Sequence, residues 1–206
     1  MKETLKLNGR TILVCVCGGI AAYKVCELVS KLVQAGASVS VAMTAEALHF
    51  VGPTTFQALT ANPVATDLWA SDSTQHSALS TQHSVSHIAL AQKCDLIVVA
   101  PCTANMLGKM AHGLADELVS TLLLAAEPKR ILIAPAMNEQ MWNHPATQRN
   151  AKQVFADGVQ FVGPGTGWQA CRTIGIGRMS EPAEILEAIA VKLAALTTAE
   201  EAHFRP

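Results

Sequence analysis

No apolar run in this chain reaches the roughly 18 residues needed to cross a bilayer. The N-terminal stretch MKETLKLNGR has no apolar core of the kind a secretory leader needs, so no leader is expected. Basic blocks are missing too. Lys and Arg number 15 against 16 Asp and Glu, a net charge of −1, so nothing favours nucleic acid or an anionic membrane as a partner. No CxxC pair occurs among the six cysteines. Cys15 and Cys17, two apart on a predicted strand, suit neither a short disulfide nor a zinc knuckle. With Cys26, Cys94 and Cys102 they read as small buried hydrophobes. A hydrophobic share of 50% excludes disorder for most of the chain. What remains is a cytosolic globular protein whose 206 residues suit one α/β domain.

The apolar pattern changes period along the chain. TILVCVC (11–17) is continuous and rich in β-branched residues, which predicts a strand buried on both faces. In the next segment Ala21, Val25, Leu28, Val29 and Leu32 recur at helical spacing, and Gly36 predicts the stop. SVSVAMT (38–44) is a second strand, completing a right-handed βαβ unit. Strands are predicted again at 94–101, 130–136 and VQFVGP. They alternate with a mostly helical segment after Ala104, a helix after Pro145 and a closing helix with Pro182 in its first turn. This alternation predicts a three-layer Rossmann-like (flavodoxin-like) parallel sheet covered by helices on both faces. Ligands then bind beyond the carboxyl ends of the strands. The tandem repeat STQHSALSTQHSVS (73–86) stands apart and reads as a mobile, solvated loop rather than a metal site built from His76, His83 and His87.

Several rim segments carry candidate chemistry. The first turn, Cys17-Gly18-Gly19-Ile20, lacks G-x-G-x-x-G, and the second strand ends in Thr44 with no acidic residue at its tip. A dinucleotide is therefore disfavoured. Two glycines opening a helix make either a cradle for one phosphate or a ligand-free tight turn. Cys102, Thr103, Ala104 and Asn105 directly follow a strand, and Thr103 alone reads as a helix N-cap. Gly108 and Gly113 interrupt a helical pattern at a cost of roughly 1 kcal/mol each. His87 is either structural or a base suited to pH 7. The stretch GPGTGWQACRTIGIGRMSEP places Cys171 on a long glycine-rich connection, which favours a functional flap.

Taken together, GGIAAYK, SHIAL, APCTAN, GLADEL, PAMNEQMW and AC…GIGRMSEP resemble the homo-oligomeric flavin-containing cysteine decarboxylases, over nearly the whole chain and in the family's order. The resemblance implies FMN, held by Cys17, Gly18, Gly19, Ile20, Thr44 and the Cys102–Asn105 segment. It implies decarboxylation of an N-acylated cysteine, 4′-phosphopantothenoylcysteine, within coenzyme A biosynthesis. His87 would be the base for thiol oxidation. Asn138 would anchor the carboxylate or acylated nitrogen beside Ala136 and Met137. Cys171 would protonate the enethiol; Arg172, outside the family pattern, would either hold the substrate phosphate or alter the flap and the reductive step. It also implies trimers assembled into a dodecamer, and a synthetase domain in bifunctional members that residues 1–206 do not contain. Two departures stand out. The family has Gly where Arg172 stands and Ser where Cys17 stands, a weaker donor to phosphate. Alternatives are a peptidyl-cysteine decarboxylase, another flavoprotein of the fold, or a non-catalytic FMN-binding regulator.

Overall fold

A computed structural model describes residues 6–68 and 87–203. The first βα unit comprises β1 (Thr11–Val16) and α1 (Ala22–Gln34), followed by β2 (Ser38–Met43), α2 (Pro53–Thr60) and β3 (Val64–Ala65). The second half begins at α3 (His87–Lys93) and runs through β4 (Leu96–Cys102), α4 (Ala104–His112), α5 (Leu118–Leu124) and β5 (Ile131–Pro135). Then come α6 (Glu139–Asn143), α7 (Pro145–Ala156) and β6 (Gln160–Phe161). The chain closes with β7 (Gly165–Trp168), β8 (Ile174–Arg178) and α8 (Pro182–His203).

β4 and β5 are buried at every residue, as continuous apolar runs require of strands covered on both faces. The sheet is parallel in the order β3-β2-β1-β4-β5-β6. The predicted three-layer Rossmann-like arrangement is therefore the one observed. Because side chains alternate across a strand, the sheet divides the core in two. Ile12, Val14 and Val16 face one layer with Val98 and Leu132, under α1 and α8. Leu13, Cys15 and Cys17 face the other with Ile97, Val99 and Ile133, under α3, α4, α5 and α7. The strand order reverses between β1 and β4, and that switch opens a crevice beyond their carboxyl ends.

Three features depart from the sequence pattern. The apolar stretch after Ala104 forms two helices, because Gly113 (φ +63°) ends α4. The Leu114 N–H then donates back to the Lys109 carbonyl at 3.0 Å, and Glu117 caps α5 through the Val119 and Ser120 N–H groups. The expected polar connection around Cys171 is an antiparallel β7–β8 hairpin. α2, β3 and α6 were not legible at all; each is too short for a periodicity to establish itself. The 73–86 repeat lies outside the described residues. Among the described residues, no helix is long and apolar enough to cross a membrane.

Candidate active site

Two adjoining hollows lie beyond the strand ends. The smaller, about 300 Å³, is lined by Cys17, Gly18 and Gly19 after β1, Thr44 after β2, and Thr103, Ala104 and Asn105 after β4. Gly18 has no room for a side chain: a Cβ there would stand 2.3 Å from the Glu46 Cβ and 2.8 Å from the Glu46 backbone. The N-terminus of α1 has no side-chain cap; its Ala22 and Lys24 N–H groups donate to the Gly19 (2.9 Å) and Ala21 (3.0 Å) carbonyls, and the positive end of the helix dipole faces the turn. The Thr44 hydroxyl accepts from the Ala47 N–H (3.3 Å), and the Thr103 hydroxyl accepts from the Met106 N–H (3.2 Å). Each hydroxyl hydrogen is left to donate. Cys102 is fully buried in the core and is not among the residues that line this hollow. Burial pushes the Cys15 and Cys102 thiols up, and the Cys17 thiol to about 12, so all three stay protonated. Lys109 and Glu117 also line this hollow, and Lys109 pairs with Asp116 at 2.7 Å. Neither residue stood out in the sequence.

The larger cleft, about 620 Å³, lies between the β1–α1 turn, the Ala136–Asn138 turn and the β7–β8 hairpin. Ile20 faces this cleft, while Gly19, Ala136 and Met137 border both hollows. Asn138 and Cys171 meet here. Asn138 caps α6, and its Oδ1 accepts from the Gln140 N–H at 2.8 Å. That bond dictates which way the amide points. Its Nδ2 therefore donates to the Cys171 Sγ at 3.3 Å, and the Thr173 hydroxyl lies 3.0 Å from the same sulfur. Thr173 first, then Asn138, holds the Cys171 thiol below its ordinary range.

The hairpin is moored by polar contacts. Met137 N–H donates to the Gly177 carbonyl (2.9 Å), and Ile176 N–H to the Glu139 carboxylate (3.3 Å). The Gln169 side chain, only 8% exposed, completes the mooring. Its Oε1 accepts from the Glu139 N–H (3.2 Å), and its Nε2 donates to the Ile176 carbonyl (2.9 Å). Gly177 is obligatory here: its φ is +124°, and a Cβ would stand 2.3 Å from the Met137 carbonyl oxygen.

Arg172 takes the left-handed position at the hairpin tip, with φ +65°. Its N–H donates to the Gln169 carbonyl and the Gln169 N–H to the Thr173 carbonyl, both at 2.9 Å. This is the turn-plus-bulge hairpin in which that position favours Gly. The Arg172 side chain is exposed and is not among the groups lining the cleft; Lys24 and Arg178 are. His87 opens α3, and its side chain lies outside the described residues. Asn138 and Cys171 are thus brought together. Sequence reasoning missed Gln169, Glu139, Lys24, Arg178 and Glu181. All lie inside or beside the motifs quoted above, but their partners are remote in sequence and no local spacing links them.

A parallel sheet with a small-ligand cradle at its switch, joined to a cleft holding an amide–thiol pair, is the Rossmann-like arrangement in which small ligands sit beyond the strand ends. The chain belongs to the flavoprotein family: the family model described as Flavoprotein matches residues 1–194. The coenzyme A biosynthesis bifunctional protein CoaBC of Bacillus subtilis (strain 168) is 48% identical over 195 residues, covering 95% of this chain and 45% of that protein. CoaBC of Escherichia coli (strain K12) is 42% identical over 183 residues, covering 89% of this chain and 43% of that protein. The chain thus spans less than half the length of these relatives. Among solved structures, a PPC decarboxylase mutant complexed with pantothenoylaminoethenethiol superposes with a TM-score of 0.76 at 29% identity, covering 88% of this chain and 97% of the other. The FMN-dependent cysteine decarboxylase SpaF superposes at 0.73 with 30% identity, covering 91% and 99%.

Proposed function

We propose that this chain is an FMN-dependent decarboxylase that converts 4′-phosphopantothenoylcysteine to 4′-phosphopantetheine in coenzyme A biosynthesis. The observation that carries the reading is the Asn138–Cys171 contact, 3.3 Å across a cleft that shares Gly19, Ala136 and Met137 with the cradle at the sheet switch. The PPC decarboxylase and CoaBC relatives support the same chemistry.

The cradle fits FMN. The Gly18-Gly19-Ile20 turn, with the uncapped N-terminus of α1, suits one phosphate. Thr44, Thr103 and Asn105 supply hydroxyl and amide groups for the rest of the cofactor. FMN held by these residues would supply the two-electron sink, and later the two-electron source, that CO2 loss from an N-acylated cysteine requires. His87 serves as the base that removes the proton during thiol oxidation, a role worth about 10²–10⁴-fold. The Asn138 amide donates to the substrate carboxylate or acylated nitrogen. A neutral anchor suits this step, because a cation would stabilise the carboxylate against its loss as neutral CO2. Cys171 holds the proton that the product carbon takes up. A thiol below its ordinary range is better matched to that transfer near neutral pH.

We assign residues 1–206 to one decarboxylase domain, working in the cytosol as a trimer that assembles into a dodecamer. All six cysteines are unpaired, which fits a reducing compartment. Tyr23 and Ile20, each about 60% exposed beside the cleft, Met141 at the smaller hollow, and the exposed Leu48 and Phe50 are apolar groups that a second copy would cover. Light scattering that returned a monomer would sink the assembly.

The deciding experiment is a mass spectrum of the products formed from 4′-phosphopantothenoylcysteine by the flavin-loaded protein. Saturated 4′-phosphopantetheine is expected. A product lacking CO2 and two further hydrogens would place this chain with enzymes that stop at the enethiol. Unchanged substrate would refute the reading.

A further inference from the structure

Two cations from opposite ends of the chain converge on one carboxylate at the larger cleft. Lys24, in the first turn of α1, places its Nζ 2.9 and 3.1 Å from the two Glu181 oxygens. Arg178, the last residue of β8, pairs with Glu181 as well. Both cationic side chains line the cleft, and Lys24 is only 14% exposed. Together the three groups carry one net positive charge. Arg178 is held in place from below: a Cβ on Gly167 would stand 2.9 Å from its Cδ and Nη1, so its side chain lies along a strip that only glycine leaves open. A guanidinium laid down in this way, tethered by a carboxylate beside a half-hidden ammonium, is preorganised for an anion with several oxygens.

We propose that Lys24 and Arg178 form the phosphate-monoester subsite of the cleft, with Glu181 as their tether. This rests on the decarboxylase reading for the identity of the ligand, and it gives the substrate phosphate to Arg178 and Lys24 in place of Arg172. The division of labour follows from the chemistry. The carboxylate that must leave is met by the neutral Asn138. The phosphate does not react, so full charge can be spent there, and that remote binding energy holds the reacting end in place. A phosphate dianion also matches one guanidinium fork and one ammonium better than a monoanion does.

The test is titration calorimetry on the FMN-loaded protein, without turnover. Wild type, Lys24→Met and Arg178→Met are titrated with 4′-phosphopantetheine, with pantetheine and with inorganic phosphate. Each substitution is expected to weaken 4′-phosphopantetheine and inorganic phosphate about tenfold or more while leaving pantetheine unchanged. If FMN affinity drops about tenfold while 4′-phosphopantetheine binding is unchanged, the two cations carry the cofactor's phosphate instead and the subsite is overturned. If neither moves, the subsite is overturned. Should the variants fail to fold, wild type decides: inorganic phosphate must compete with 4′-phosphopantetheine and not with pantetheine, and independent binding overturns the proposal. Wild type that binds inorganic phosphate in this way yet decarboxylates nothing keeps the subsite and sinks the decarboxylase reading.

Discussion

The two hollows share a border but are built in opposite ways. The smaller one is carved largely from turns that follow strands buried at their carboxyl ends, which ties its walls to the sheet. The larger one is closed on one side by a two-stranded hairpin with exposed Trp168 and Ile174. Hydrogen bonds from the Ala136–Glu139 region and Gln169 hold that hairpin, not apolar packing. The contrast suits the proposed chemistry. A cofactor stays bound and tolerates a rigid socket, whereas a substrate must enter and leave past a lightly moored wall.

The largest expected effect breaks the rigid side. Gly18→Val drives a branched side chain into the Glu46 backbone, where even a bare Cβ stands 2.8 Å away. Flavin absorbance of the purified protein should disappear, and a variant that stays yellow would show that the cradle lies elsewhere. Next comes the hairpin. Gly177→Ala places a Cβ 2.3 Å from the Met137 carbonyl oxygen at φ +124°, a strain of about 1–3 kcal/mol. Turnover should collapse while flavin remains bound. Loss of both together would mean that the two sides are not separable.

A smaller effect sharpens the hairpin's chemistry. Hydrogen bonds to the Cys171 sulfur stabilise the thiolate, so removing one must raise the thiol pKa. Thr173→Val should move the onset of iodoacetamide alkylation to higher pH, and Asn138→Ala should do so by less, following the order of the two causes. An unchanged profile in Thr173→Val would contradict the 3.0 Å contact. The smallest effect is at Arg172. Arg172→Gly relieves a left-handed residue at φ +65° and should stabilise the protein by about 1 kcal/mol, read as a rise in Tm. A fall in Tm would mean that the guanidinium makes compensating contacts.

Much of the scaffold was legible because its signals are local. Val25, Leu28, Val29 and Leu32 at helical spacing placed α1, and the apolar runs placed β1, β4 and β5. The hairpin was not legible. Gly165–Trp168 and Ile174–Arg178 have too few apolar residues to announce strands, and their pairing is stabilised by contacts to α6 that lie elsewhere in the chain. Cys102 was expected on the rim as a cofactor contact, yet its thiol turned into the core, because which face a side chain takes at a strand end depends on the pleat of the whole sheet.

By itself the sequence determined the alternation of strands and helices, the parallel sheet, the strand ends on which a ligand can sit and the residue types able to do chemistry there. These follow from periodicity within a few residues. Only the tertiary structure decided that Asn138 lies against Cys171, 33 residues away, and that Lys24 shares Glu181, 157 residues away, with Arg178. The strand order and the docking of the hairpin create those meetings, and neither leaves a mark on local spacing.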